Sequence, residues 1–253
     1  MEMHLLSGGR LRMRKSVYLP DADRSETIEL PVSCVLLRHA QGNVLFDTGC
    51  HPDTLANPEG CWGTMAKAMV PIGRPQDNVI SELATLGLQP DDIDIVVNSH
   101  FHTDHCGCNS FFKRAKVFAH YREIEVAQAP DAVQKGFLPG DWQHPMPMEA
   151  VRGEHDLFGD GRITLLPLPG HTAGTMGALV SLSRDGRFLL AADAMPLQAN
   201  LDRELLPRNT ADPQTATATA QEIRRIQAGG TTVVFGHDDA QWMAMRKGAG
   251  AYE

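Results

Sequence analysis

NSHFHTDHCG, at residues 98–107, places His100, His102, Asp104 and His105 within six positions. Four side chains that all ligate the same kind of ion rarely crowd together by chance. The stretch closes an apolar run at 93–98 that reads as a strand. At an extended strand end, positions two apart point to one side, so His100 and His102 offer imidazole nitrogens to one ion. The chain then turns. Asp104 and His105 face a second ion at roughly 3.5–4 Å from the first, the spacing of two-metal sites.

Two ions need more donors than four side chains supply, because a tetrahedral catalytic site keeps about three protein ligands and an open position. Three further candidates each close an apolar run: His171 in LPLPGHTAG (166–174), Asp193 in FLLAAD (188–193) and His237 in TTVVFGHD (231–238). Loops beyond strand ends are where open catalytic sites are built. The other histidines, at 4, 39, 51, 120, 144 and 155, lack such spacing and read as surface, packing or supporting residues. His120, which ends KVFAH, is the one expected to stand behind a ligand.

These motifs, together with FDTG at 46–49, resemble the metallo-β-lactamase superfamily. The resemblance puts His100, His102 and His171 on one ion, Asp104, His105 and His237 on the other, and Asp193 between them, with Asp47 buttressing the site from behind. Redox di-iron relatives carry a glutamate where this chain has His102, so the pattern implies hydrolysis rather than electron transfer. A narrower likeness lies in PVSCVLLRHAQGNVLFDTG (31–49), DDIDIVVNSHFHTDHCG (91–107), PGHTAG (169–174), AAD (191–193) and VVFGHD (233–238). These look like the N-acyl homoserine lactone lactonases and the related pyridoxolactonases, over most of the chain. The implied reaction is opening of a small lactone by a metal-bridging hydroxide, a quorum-quenching activity, with Asp104 holding or shuttling the proton. Hydrolysis of another ester, a thioester or a lactam is the alternative. Two Zn²⁺ suit the nitrogen and oxygen donors; manganese, iron and cobalt accept them too. The lactonases carry a tyrosine three positions after the bridging aspartate, placed to assist the substrate carbonyl, where this chain has Pro196.

Composition narrows the setting. The 23 basic and 31 acidic residues of the 253 leave a net charge of −8, which argues against the clustered basic face that nucleic acid requires. The partner is expected to be a small molecule. Arg10 to Lys15 form a short basic cluster that reads as the solvated face of an amino-terminal strand. Five cysteines, at 34, 50, 61, 106 and 108, follow no disulfide spacing and are expected to stay reduced, with Cys106 and Cys108 packing beside the site. No linker or repeat divides the chain, so one domain over 1–253 is expected. The opening MEMHLLSGGRLRMRK has no apolar signal region, no run reaches membrane-spanning length, and the expectation is a cytoplasmic monomer or homodimer.

Strands are expected at 33–38 and 43–47, as a hairpin turning near Gln41-Gly42, and at 93–98, 116–119, 162–168, 175–182, 187–192 and 231–235, with a hairpin turn at Asp185-Gly186. Helical spacing marks 77–88. A helix at 213–228 has Asp212 as N-cap, Pro213 first and Gly229 after its end. This order fits an α/β fold, an αββα sandwich of two mixed sheets flanked by helices. The segments 51–74 and 137–148 are long and rich in flexible apolar side chains; they form either a lid and acyl pocket or a cover for sheet edges. Trp62, Met65, Phe137 and Trp142 are their candidate pocket residues. Met195, beside the bridging aspartate, is the candidate pocket wall.

Overall fold

The computed structural model describes residues 1–253. Its apolar runs form twelve strands. The first sheet contains β1 (Glu2–Arg14), β2 (Thr27–His39), β3 (Gly42–Phe46), β4 (Val70–Pro71), β5 (Ile95–Val97), β6 (Lys116–His120) and β7 (Met148–Val151), in the order β4-β1-β2-β3-β5-β6-β7. Pairing is antiparallel from β4 to β3 and parallel from β3 to β7. The second sheet contains β8 (His155–Asp156), β9 (Ile163–Pro167), β10 (Met176–Leu182), β11 (Gly186–Ala192) and β12 (Thr232–Phe235), in the order β12-β11-β10-β9-β8. Only β11 and β12 run parallel there.

Period-two alternation explains why both sheets are covered twice. Val35, Leu37, Val44 and Phe46 of the first sheet meet Leu165, Ala178, Val180 and Leu190 of the second in one core between them. Their neighbours Leu36, Leu45 and Val96 turn outward against Val79 and Leu83 of the helix Val79–Thr85. On the other side, Leu166, Leu189 and Ala191 face Ile223 and Ile226 of the helix Pro213–Ala228. That helix buries Ala216, Thr219, Ile223 and Ile226, a helical spacing, and Asp212 caps it by accepting from the backbone N–H of Gln214 and Thr215. The result is the expected αββα sandwich.

Several local expectations shift. The first hairpin turns through Ala40 and Gln41, because His39 pairs with Gly42, and the second through the three residues between Leu182 and Gly186. The helix expected over 77–88 is shorter because Asn78, whose side chain accepts from Ser81 N–H, starts it at Val79. β4, β7 and β8 lie outside the expected strands. The strand before the metal motif ends at Val97, so His100 lies in a loop and His102 opens a one-turn helix, Thr103–Cys106. Strand alternation is therefore not what pairs the two imidazoles. No helix is long and apolar enough to cross a membrane.

Candidate metal centre

His100, His102, His171, Asp193 and His237 follow the carboxyl ends of β5, β9, β11 and β12, so short loops from both sheets bring them to one edge of the sandwich. The hydrogen bonds behind His100, His102, His105 and His237 settle which nitrogen of each carries the proton. His102 Nε2 lies 3.1 Å from the carbonyl of Lys135, an acceptor only, so it donates and leaves Nδ1 bare. Ser99 Oγ donates to Asp47 and therefore accepts from His100 Nδ1 at 3.0 Å, leaving Nε2 bare. Yet His100 Nε2 and His171 Nε2 each lie 3.0 Å from His102 Nδ1. The first of these contacts sets two lone pairs face to face and is no hydrogen bond. Burial, the largest effect, lowers the pKa of all three imidazoles, that of His171 to about 3, so extra protons do not fill the gap. Three neutral nitrogens on one point form a cation seat.

The second group follows the same logic. His105 Nδ1 donates to Asp47 Oδ2 at 2.8 Å, and His237 Nδ1 to the carbonyl of Pro31 at 2.8 Å. Both Nε2 atoms, and Oδ1 of Asp193, are buried without a hydrogen-bond partner. Asp193 Oδ1 lies 2.9 Å from His237 Nε2 and 3.3 Å from His105 Nε2, while its Oδ2 lies 3.4 Å from His171 Nε2. Asp104 Oδ2 stands 3.7 Å from both His105 Nε2 and His237 Nε2. Burial opposes charge on His105 and His237, but the carboxylates of Asp104 and Asp193 outweigh it and raise both pKa values. Buried nitrogens and oxygens without hydrogen-bond partners are what bound cations would satisfy, so the residues fit two metals.

Backbone strain sits beside these donors. Three residues other than glycine have positive φ, and two of them are Asp47 (59°) and Ala192 (44°), the latter directly before Asp193. In FDTG, Gly49 has φ 73°, and a Cβ there would lie 2.4 Å from Gly8 Cα, so this close crossing of β1 admits only glycine. The turn holds Asp47 where it accepts from Ser99 N–H and Ser99 Oγ, each at 2.7 Å, as well as from His105.

A second supporting carboxylate was not legible in the sequence. Glu123, fully buried, accepts from Phe101 N–H at 2.9 Å, between His100 and His102, and from Thr172 Oγ1 at 2.6 Å and Gly174 N–H at 3.1 Å, beyond His171. It ties together the two loops of the first cation seat. His120 does not touch a ligand: its Nδ1 accepts from Arg122 N–H and its ring packs on Tyr121, because β6 ends by capping the following helix. Glu123→Gln turns one acceptor into a donor facing donors, and metal affinity should fall by about 10- to 100-fold in an equilibrium competition with a chelator. Burial raises the Glu123 pKa to about 7 from 4.5. The folded protein thus holds a proton between these values that the unfolded chain has lost, so stability of the metal-free protein falls as pH rises through that window. The glutamine variant should lose this slope in denaturation at pH 4.5 to 7.

A cavity of about 280 Å³ opens beside His102, Asp104 and Asp193. Its other walls are Met13, Val17 and Tyr18 near the amino terminus, Met65, Ala68 and Met69, the Gln134–Lys135–Gly136 rim, and Asn209. Of the expected pocket residues, Met65 lines it. Trp62 is buried behind it, among Leu11, Tyr18 and Leu30. Phe137 backs His102 at 5.2 Å between rings, and Trp142 stacks on Phe101 at 5.3 Å. The segment 137–148 therefore props the ligand loop, while 51–74 supplies part of the wall. Met195 is not a wall of this cavity: the chain turns back after Ala192, burying Met195 with Leu201 and Ile223 beside a separate cavity of about 80 Å³. Pro196 accepts from His237 N–H at 2.9 Å. All five cysteines are free, and Cys106 and Cys108 point their thiols at the carbonyls of His102 and Cys50.

The chain is similar in sequence and in fold to known proteins. The N-acyl homoserine lactonase AttM of Azorhizobium caulinodans is 28% identical over 260 residues, covering 100% of this chain and 99% of that protein. AiiB, an N-acyl homoserine lactonase of Agrobacterium fabrum, is 32% identical over 248 residues, 90% of this chain and 87% of its own. The fold matches that of an N-acyl homoserine lactone hydrolase solved with N-hexanoyl-L-homoserine at its catalytic metal center, with a TM-score of 0.89 at 23% identity, over 99% of this chain and 98% of that one. The sequence model of the metallo-beta-lactamase superfamily spans residues 27–237, from β2 through the last of the clustered histidines. With that span, its αββα sandwich and the two donor groups at the sheet edge, this chain belongs to the metallo-beta-lactamase superfamily.

Proposed function

We propose that this protein is a dinuclear zinc hydrolase that opens the ring of N-acyl homoserine lactones. His100, His102 and His171 would hold one ion, Asp104, His105 and His237 the other, and Asp193 would serve both. The observation that supports this most strongly is the meeting of the bare His100 Nε2 and His102 Nδ1 at 3.0 Å, a repulsion that a shared cation relieves. Neutral imidazoles and carboxylates suit zinc. Because donors come from both sheets, residues 1–253 act as one catalytic unit.

When bound, the ions supply an acidified water as nucleophile and a Lewis acid for the ester carbonyl. The chain's residues do the rest. Met13, Val17, Met65 and Met69 give the cavity an apolar wall for an acyl chain, while Gln134, Lys135 and Asn209 offer hydrogen-bond donors at its polar side. Asp104 takes the proton released as the water oxygen bonds to the carbonyl carbon, and returns it to the ring oxygen as the ring C–O bond breaks. The product is a hydroxy acid.

The purified protein should hold about two zinc ions per chain by elemental analysis and open N-hexanoyl and N-decanoyl homoserine lactones in a pH-stat assay, ahead of a cephalosporin lactam and an acyl thioester. Two metals with thioester or lactam turnover and no lactone opening would overturn the substrate. A metal content near one, unchanged by added zinc, would overturn the paired site.

A further inference from the structure

Tyr18 is 2% exposed, lies at the end of the short helix Lys15–Tyr18 and lines the same cavity wall as Asp104 and Asp193. Its ring meets that of His237 edge-on at 5.9 Å between centroids. Buried phenols usually find a strong hydrogen-bond partner, but this hydroxyl donates only to the thioether of Met13, at 3.3 Å. Sulfur is a weak acceptor, so redirecting the O–H toward a carbonyl oxygen in the cavity costs little. The backbone around the phenol is held from the segment that follows Asp193. Asn200 Nδ2 donates to the carbonyl of Tyr18 at 2.7 Å, Arg208 N–H to that of Val17 at 2.7 Å, and the Arg208 guanidinium to those of Ser16 and Pro20.

From this geometry we infer that Tyr18 is a catalytic residue, its phenol donating a hydrogen bond to the acyl carbonyl oxygen as negative charge develops there. The phenol keeps its proton throughout; the water proton still passes to the ring oxygen. The inference rests on the hydrolase reading above but not on which acyl bond is cleaved.

Tyr18→Phe keeps the ring and removes one oxygen. Zinc content and thermal midpoint should match the native protein, while kcat on whichever acyl substrate the native protein hydrolyses falls by about 10²-fold, a larger change than any rise in KM. Equilibrium binding of N-hexanoyl homoserine lactam, whose carbonyl accepts the same hydrogen bond, should weaken roughly three- to tenfold. Adding this lactam should also shift the near-ultraviolet absorbance of a phenol in the native protein and not in the variant, a readout independent of turnover. A kcat within about twofold of native, or an identical lactam-induced spectrum in both proteins, overturns the inference. Absence of lactone opening by the native protein overturns the substrate proposal instead, and leaves the Tyr18 comparison to be made on the thioester or by the spectrum.

Discussion

Asp193→Ala should bring the metal content well below two per chain and lower turnover by about 10³-fold or more, the largest loss expected from any single change outside the histidines. The reason is geometric. One carboxylate reaches three imidazoles, with Oδ1 on His237 and His105 and Oδ2 on His171, so its removal strips a donor from both seats at once. Its own pKa sits well below the usual range: burial works against the charge, but His237, His105 and His171 outweigh that penalty. Without this anion the pKa values of His105 and His237 drop, and nothing else in the cluster stands between the two groups. Elemental analysis beside a turnover measurement checks both halves. Retention of two ions with activity within tenfold of native would mean that the two groups bind metal independently.

For Asp104→Asn the expected pattern is different. Shape and one oxygen donor survive, whereas charge and basicity do not, so turnover should fall by about 10²-fold or more while metal content falls less. Asp104 Oδ2 is 3.7 Å from the Nε2 atoms of both His105 and His237, farther than Asp193 from either, and the residue lines the open cavity. It is placed better for proton transfer than for rigid ligation. Equal losses of metal and of turnover would reduce it to a plain ligand.

The clustering of these side chains was legible because its logic is local. HxHxDH, PGHTAG, AAD and FGHD each follow an apolar run directly, and strand ends deliver their loops to one edge once the runs assemble. The layered fold was legible for a similar reason: Val35, Leu36 and Leu37 alternate between two cores, and Asp212, Pro213 and Gly229 bound a helix by their own backbone chemistry. The strand β1 was weaker as a signal, since it buries residues on both faces and is interrupted at Gly8 and Gly9, where its register shifts.

What surrounds the donors belongs to tertiary structure alone. Glu123 is one acidic residue in a helical stretch until folding sets its carboxylate between Phe101 and Gly174. Tyr18 and His237 are far apart along the chain and carry no mutual spacing, yet their rings touch. Met65 and Met195 look alike in sequence, both apolar and near the motifs; one faces the cavity, and the other is turned into the core by the bend at Ala192. Donor chemistry is specified by residue type, because few side chains coordinate a cation. A cavity wall is specified by which remote segments pack together, and an apolar side chain serves a wall and a core equally well until the fold assigns it to one of them.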